Sequence, residues 1–391
     1  MRGIGVSMRA GFLTFIVLMS FIAVLPAVGQ NQPTFNDVVF GVVPMDGGGN
    51  VTLMMDIYLP PVGRPPFPLV IWIHGGGWQG GTYNGVPASA LQLRNDGVAL
   101  ASTRYRLSGE AIFPAQIHDV KGAVRFLRAN AATFNVDPNR FASWGSSAGG
   151  HLSTLLAMSS GAAALEGTSG GNLAFSSAVQ VCVDYFGPTD ILNMGLDVAT
   201  PPGSGIDHDA PASPESKLVG WDDPGQGIGD IRANIANPAP PYPGLVTLCN
   251  QVNPITWVDA SDPRTFIAHG TNDTTVPIMQ STRLDNALTA VGVPHQYTQV
   301  AGAGHGGFPA SVEIAAQEFI LSGFTSEKLP GDMNCDILVD SDDIAPFVQR
   351  MTSPAAYLFV NPLCHPRNGD INTDGVVNGR DIAGFVDLLL P

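Results

Sequence analysis

Apolar and polar residues alternate along 35–43 and again along 51–59, with a glycine-rich turn at 46–50 between them. That pattern predicts two antiparallel strands at the edge of a sheet. It then changes. Leu69-Val70-Ile71-Trp72-Ile73 is apolar without a break, as expected of a central strand covered on both faces. Further strands are predicted over 98–105, over the stretch running into Ser146, and over 178–185, 264–270 and 296–300. Between them the period lengthens to that of a helix. Ile117, Val120, Val124 and Leu127 share one face of a helix over 115–134, with Lys121, Arg125 and Arg128 on the other side. Helices are also expected over 152–158, 278–291 and 312–321. Strands alternating with helices predict an α/β fold with a mostly parallel central sheet flanked by helices. From 191 to 256 the periodicity fails and Pro, Gly and Asp dominate; such an insertion is expected to form a cap over the site.

The candidate chemistry lies at the ends of the predicted strands. Gly145-Ser146-Ser147-Ala148-Gly149 centres Ser147 in Gly-x-Ser-x-Gly, between a strand and a helix start, where the turn is strained. His74-Gly75-Gly76-Gly77-Trp78 follows the central apolar strand, and its glycines leave backbone N–H groups unshielded for a developing oxyanion. Asp273 stands in the loop after 264–270, and His305 in a glycine-rich loop after the last strand. A serine hydroxyl needs a base to become a nucleophile, and a carboxylate fixes the tautomer of that base. Ser147, Asp273 and His305 each follow a strand, so all three reach the carboxyl edge of one sheet. Rivals fit less well. Ser146 lacks the flanking glycines, since Trp144 and Ala148 stand there. Asp190 also follows a strand, but an earlier one, and is expected to cap a turn. His74, His118, His151 and His269 belong to a turn, a helix, a helix start and a strand end, while His208, His295 and His365 have no motif around them.

On these residues, 35–325 resembles the esterase/lipase branch of the α/β-hydrolases. The resemblance is to the carbohydrate-active group that includes bifunctional feruloyl and acetyl xylan esterases. It is carried by 74–78, 145–150, Tyr185-Phe186-Gly187-Pro188-Thr189-Asp190, 269–277 and 302–307. It implies an α/β-hydrolase fold with a Ser147–Asp273–His305 triad, and an oxyanion hole made by the N–H groups of Gly76, Gly77 and Ala148. It also implies an acyl-enzyme, no cofactor for catalysis, and a substrate that is an acylated polysaccharide or another ester. Other readings stay open: a general lipase or carboxylesterase, a serine peptidase of the prolyl oligopeptidase type, or a silent adhesion or scaffold protein.

Beyond a linker at 326–331 the composition turns acidic. Asp332, Asn334, Asp336, Asp340 and Asp343 recur in the same spacing as Asp370, Asn372, Asp374, Asn378 and Asp381. Helices in a shared frame follow both, Ile344-Ala345-Pro346-Phe347-Val348 and Ile382-Ala383-Gly384-Phe385-Val386. Oxygens at loop positions 1, 3, 5, 9 and 12, with a carbonyl at 7, suit Ca²⁺. The duplication predicts two structural ions, although Ile337 stands where the second copy has Gly375. The pair, 332–391, resembles a type I dockerin, which implies a small all-α calcium-binding module and a cohesin-like scaffold or cell-surface partner.

At the other end, Arg2 and Arg9 precede an apolar run over 10–25 that exits through Ala27 and Gly29. This predicts a cleaved export signal at 1–29 and a secreted or extracytoplasmic body that begins at 30. No later stretch is long and apolar enough to span a bilayer. In an exported chain, four cysteines predict two disulfides, and pairing within domains gives Cys182–Cys249 and Cys335–Cys364. The net charge of −15 argues against a nucleic-acid partner.

Overall fold

The computed structural model describes residues 32–326 and 328–390. The expected export signal lies outside them. The strands β1 (Phe35–Pro44), β2 (Asn50–Tyr58), β3 (Phe67–Ile73) and β4 (Ala99–Thr103) come first. Then follow β5 (Val136–Ser146), β6 (Val181–Tyr185), β7 (Arg264–Gly270) and β8 (His295–Val300). They form one sheet in the order β1-β2-β4-β3-β5-β6-β7-β8. β1 and β2 pair antiparallel, β2 meets β4 antiparallel, and from β4 to β8 every pairing is parallel. Every residue of β3, β4 and β6 is buried, because helices cover both faces there; β1, at the edge, keeps exposed positions.

The helices of the body are α1 (Ala88–Gln92), α2 (Ala115–Ala129), α3 (Ala148–Met158), α4 (Ala163–Glu166), α5 (Met194–Asp197), α6 (Pro214–Leu218), α7 (Ile228–Ala233), α8 (Tyr242–Val252), α9 (Met279–Val291) and α10 (Ala310–Phe324). The tail adds α11 (Ile344–Thr352), α12 (Pro354–Val360) and α13 (Ile382–Leu389). Side chains alternate across a strand, so each one feeds two cores. From β3, Ile71 packs in the core that holds Val120, Val124, Leu152 and Leu155 of α2 and α3. Val70 and Trp72 pack in the opposite core with Ala316 and Ile320 of α10.

Three expectations change in the structure. The 191–256 segment is a helical cap, α5 to α8, and its Leu218, Ile228, Ile231 and Val252 enter the same core as α2 and α3. At four to six residues, α5 to α7 are too short to show a 3.6-residue period, which is why most of the segment looked irregular. Lys121 and Arg125 are not on a solvated face. Both are buried under α4 and the loop after it, where Lys121 donates to Glu166 and to the Ser159 carbonyl, and Arg125 to Glu166 and the Ser169 carbonyl. Buried charge persists there because it is paired and hydrogen-bonded.

The third change concerns the cysteines. Cys335 and Cys364 form a disulfide, but Cys182 and Cys249 are free. Cys182 points from β6 into the sheet–α3 core, 3.6 Å from the Ser153 hydroxyl, whereas Cys249 lies on the cap helix α8. Burial pushes both thiols up to about 12, so neither forms a thiolate readily.

Residues 33–391 form one compact unit, and the tail is held to the body by charge. Asp96, just before β4, accepts from Arg350 of α11 (2.9 Å) and from Arg367 (2.8 Å), and Arg367 also donates to Gln317 of α10. The expected linker is tied down: Ser326 N–H bonds the Leu363 carbonyl, Lys328 pairs with Glu318, and Gly331 N–H bonds the Asn368 carbonyl. Removing one partner of a buried ion cluster strands the others. Asp96→Ala is therefore expected to cost about 3–5 kcal/mol in urea unfolding, and a loss below ~1 kcal/mol would show that the cluster does not anchor the tail. A thiol titration should find two reactive thiols after denaturation without reductant and none in the native protein. Zero thiols in the denatured chain would restore the Cys182–Cys249 pair.

Candidate active site

β5 ends at Ser146 and α3 starts at Ala148, which leaves Ser147 alone to reverse the chain. It does so at φ 56° and ψ −125°, in the left-handed region that a residue with a β-carbon rarely enters. Its N–H donates to the Tyr185 carbonyl (2.8 Å) and its carbonyl accepts from the His151 N–H (2.9 Å). The flanking glycines are forced by space. A β-carbon on Gly145 would sit 2.1 Å from the Gly149 carbonyl oxygen, and one on Gly149 would sit 2.0 Å from that of Ile73.

The loop after β3 runs against this turn: a β-carbon on Gly75 would lie 3.3 Å from the Ser147 β-carbon. Gly76 (φ 114°) and Gly77 (φ 60°) curl the loop, and the N–H groups of Gln79 and Gly80 both donate to the Gly76 carbonyl. Buried groups fix it from behind. The Tyr105 hydroxyl donates to the His74 carbonyl (3.0 Å), and its ring stacks on His74 at 4.4 Å. The Trp78 indole N–H donates to His151 Nδ1 (3.1 Å), so His151 carries its proton on Nε2, which donates to the Val252 carbonyl (2.8 Å). Burial lowers His151 to about 4, which keeps it neutral as a brace between the 74–78 loop, α3 and α8. Ala148 opens α3 directly after Ser147, where the helix N-terminus favours negative charge, and Gly76 and Gly77 follow Gly75 in the loop that runs against this turn.

Asp273 and His305 meet across β7 and β8. His305 Nδ1 lies 2.7 Å from Asp273 Oδ2, and a carboxylate can only accept, so the proton sits on Nδ1 and Nε2 keeps its lone pair. Asp273 is fully buried. Its Oδ1 accepts from the N–H groups of Thr275 (2.8 Å) and Val276 (3.0 Å), and Oδ2 also lies 3.2 Å from Nε2 of the buried His269. Burial alone would raise its pKa, but the bonds from His269 and His305 outweigh that and hold the carboxyl well below the usual carboxylate range. The end of β6 touches both Ser147 and His305: the Tyr185 carbonyl takes the Ser147 N–H, while the Phe186 ring packs 4.5 Å from that of His305. Asp190 lies elsewhere, accepting from Asn253 of the cap (3.3 Å) and from Asn193 in its own turn. Tyr105 went unnoticed in the sequence, and Phe186 and His269, although inside the stretches that carry the resemblance, were given no role in the site. Only His269 left a signal there, four residues before Asp273 around one turn.

The acidic repeats adopt matching loops. Asp332 accepts from the N–H groups of Asp336 and Ile337, and Asp370 from those of Asp374 and Gly375. Asp343 accepts from Met333, Asn334 and Asp340, and Asp381 from Ile371, Asn372 and Asn378. Ile337 (φ 76°) and Gly375 (φ 85°) turn both loops at the same position. Among the described residues, no three acidic, His or Cys side chains converge as a metal cage.

Comparison with known proteins agrees with this geometry. Residues 55–288, more than half of the chain, match the family model BD-FAE. The chain is 37% identical over 110 residues to carboxylesterase NlhH of Mycobacterium tuberculosis, covering 28% of this chain and 34% of the relative. It is 30% identical over 271 residues to esterase LipQ of the same species, covering 67% and 56%. It therefore spans only about a third to just over half of the length of these curated relatives. Among solved structures, a truncated carbohydrate esterase from gut microbiota superposes with a TM-score of 0.62 at 28% identity, over 75% of this chain and 98% of that one. A bifunctional GH43-CE protein of Bacteroides eggerthii gives 0.60 at 30% identity, over 73% and 35%. With this match, and with the sheet order and elbow described above, the chain belongs to the BD-FAE esterase family of α/β-hydrolases.

Proposed function

We propose that this chain is a serine carboxylic-ester hydrolase acting on acylated polysaccharide. The observation that carries the chemistry is the Asp273–His305 bond, taken with a serine held at the apex of a strained turn at the end of another strand of the same sheet. In this reading His305 Nε2 takes the Ser147 proton as Oγ attacks the ester carbonyl, and the N–H groups of Gly76, Gly77 and Ala148 stabilise the oxyanion. The imidazolium then protonates the leaving alcohol, and water, activated by the same base, releases the acid from Ser147. Acetyl and feruloyl esters are the expected substrates, supported by the carbohydrate esterase and GH43-CE neighbours. The names of NlhH and LipQ favour a broader carboxylesterase as second reading.

The tail residues fit a hard cation in number and kind: each loop supplies three or four carboxylates plus amide oxygens from Asn334, or from Asn372 and Asn378. In the proposal Asp332, Asn334, Asp336, Asp340 and Asp343 hold one Ca²⁺, and Asp370, Asn372, Asp374, Asn378 and Asp381 a second. Each ion contributes structural cross-linking of its loop and nothing to catalysis. Ile344 and Val348 of α11, and Ile382 and Val386 of α13, are exposed at equivalent positions and offer a cohesin-like partner two related apolar patches. The Cys335–Cys364 disulfide supports an extracytoplasmic setting.

Ser147→Ala is expected to abolish fluorophosphonate labelling and p-nitrophenyl acetate hydrolysis without changing the melting temperature. Asp273→Asn should lower kcat by roughly 10³–10⁴ with little effect on KM, because the wrong His305 tautomer then faces the serine. Wild-type kcat in either variant would refute the triad. Calcium added to chelated protein should raise the melting temperature and slow amide exchange over 332–343 and 370–381, at about 2.7 kcal/mol for free ion at 100 times Kd. Equal melting and exchange in calcium and chelator would exclude the two sites.

A further inference from the structure

The cap meets the loop of the triad carboxylate at a single peptide unit. The Gly205 N–H donates to the Thr274 carbonyl (2.8 Å), and the Ser204 hydroxyl donates to the same oxygen (3.1 Å). The peptide that bears this carbonyl also bears the Thr275 N–H, which donates to Asp273 Oδ1 at 2.8 Å. We propose that Ser204 and His208 are positioning residues for Asp273: from the cap they hold the Thr274–Thr275 peptide, and so fix the carboxylate that orients His305. The proposal rests on the triad reading above and deepens it.

Three observations support it. The first is the shared peptide. Its C=O and N–H lie in one rigid plane, so a carbonyl held from the cap side also aims the N–H at Asp273. Hydrogen bonds in series polarise one another, and two donors on the carbonyl make the Thr275 N–H a better donor. Asp273 is fully buried, and its Oδ1 rests on the N–H groups of Thr275 and Val276.

The second observation is what holds Ser204. Its Oγ accepts from the Ile206 N–H (3.0 Å) and lies 3.1 Å from His208 Nε2. A hydroxyl that donates to Thr274 takes its other neighbours as donors, and both are nitrogens. His208 is 1% exposed, and its Nδ1 lies 3.1 Å from Oε1 of Glu215, itself 2% exposed. Those two atoms meet off the line of a hydrogen bond, so the pair adds little to stability. What it achieves is a serine hydroxyl held in place. The third observation is the anchorage of Glu215 on α6. Its neighbour Pro214 packs at the glycine loop, where a β-carbon on Gly77 would lie 3.5 Å from the proline side chain, and Lys217 donates to Gln79 (3.1 Å). Helix α6 therefore contacts the loop after β3 directly, and the loop after β7 through His208 and Ser204. β5 and β6 lie between those strands in the sheet, so the cap forms a strut across the strand that ends at Ser147.

The test reads p-nitrophenyl acetate hydrolysis well below the lowest melting temperature of the variants. Ser204→Ala is expected to lower kcat about tenfold at unchanged KM, and Ser204→Thr, which keeps a hydroxyl, to recover most of that loss. His208→Leu is expected to lower kcat to the same extent, and the double variant no further than the larger single loss, because both act through one bond. Where His208→Leu does not fold, the Ser204 series alone decides. In an Asp273→Ala background, Ser204→Ala is expected to change nothing, since the carboxylate it positions is gone. An equal loss in that background would make Ser204 a general support of the fold, and a loss through KM would make it a substrate contact. Wild-type kcat in Ser204→Ala would make it irrelevant, and additive losses from Ser204→Ala and His208→Leu would break the chain; each of these results overturns the proposal. Wild-type kcat in Asp273→Ala would instead bring down the triad reading itself.

Discussion

The chain must reverse from β5 into α3 within one residue, and most of the active edge follows from that steric demand. Ser147 is left in a backbone region costly for any side chain. Such a conformation persists only where its surroundings over-determine it, and they do so here. The β6 carbonyl of Tyr185 holds the Ser147 N–H, and Gly145 and Gly149 let strand and helix approach to distances that no β-carbon permits. The same approach presses the 74–78 loop against the elbow. Ser147 and the 74–78 loop therefore share one constraint, and neither can shift without the other.

Electrostatics complete what sterics begin. Asp273 has no solvent to stabilise its charge, so two backbone N–H groups and two histidines take that role. The lowered carboxyl is the measure of that support, and it orients the imidazole through one tautomer. His269 thus acts on the site through Asp273. Trp78, His151 and the Val252 carbonyl perform the matching function on the oxyanion side, where they also lock the cap helix α8 to the site.

What the sequence revealed and what it hid have physical reasons. Strands such as β3 and β7 were legible because full burial demands unbroken apolar runs, and Ser147 because its turn demands glycines at fixed offsets. Asp273 and His305 were legible as residues in strand-end loops, since a parallel sheet collects those loops along one edge. Within 191–256 the helices α5 to α7 escaped because each is shorter than two turns. The burial of Lys121 and Arg125 was not legible because helical periodicity reports polarity, and a charge sealed by Glu166 reads the same as one in water. Cys182 and Cys249 misled because an even count says nothing about where two thiols lie.

The ion cluster at Asp96 carries a mechanical consequence. Asp96 precedes β4, and β4 lies beside β3, the strand that leads into the 74–78 loop. Arg350 and Arg367 therefore grip the body next to its central strands, and the 326–331 connection is bonded down rather than slack. An anchor that seized the tail would not dangle the hydrolase on a tether. It would hold the catalytic edge at one angle to the surface, so reach would come from the anchor's own length and any load would enter the sheet directly.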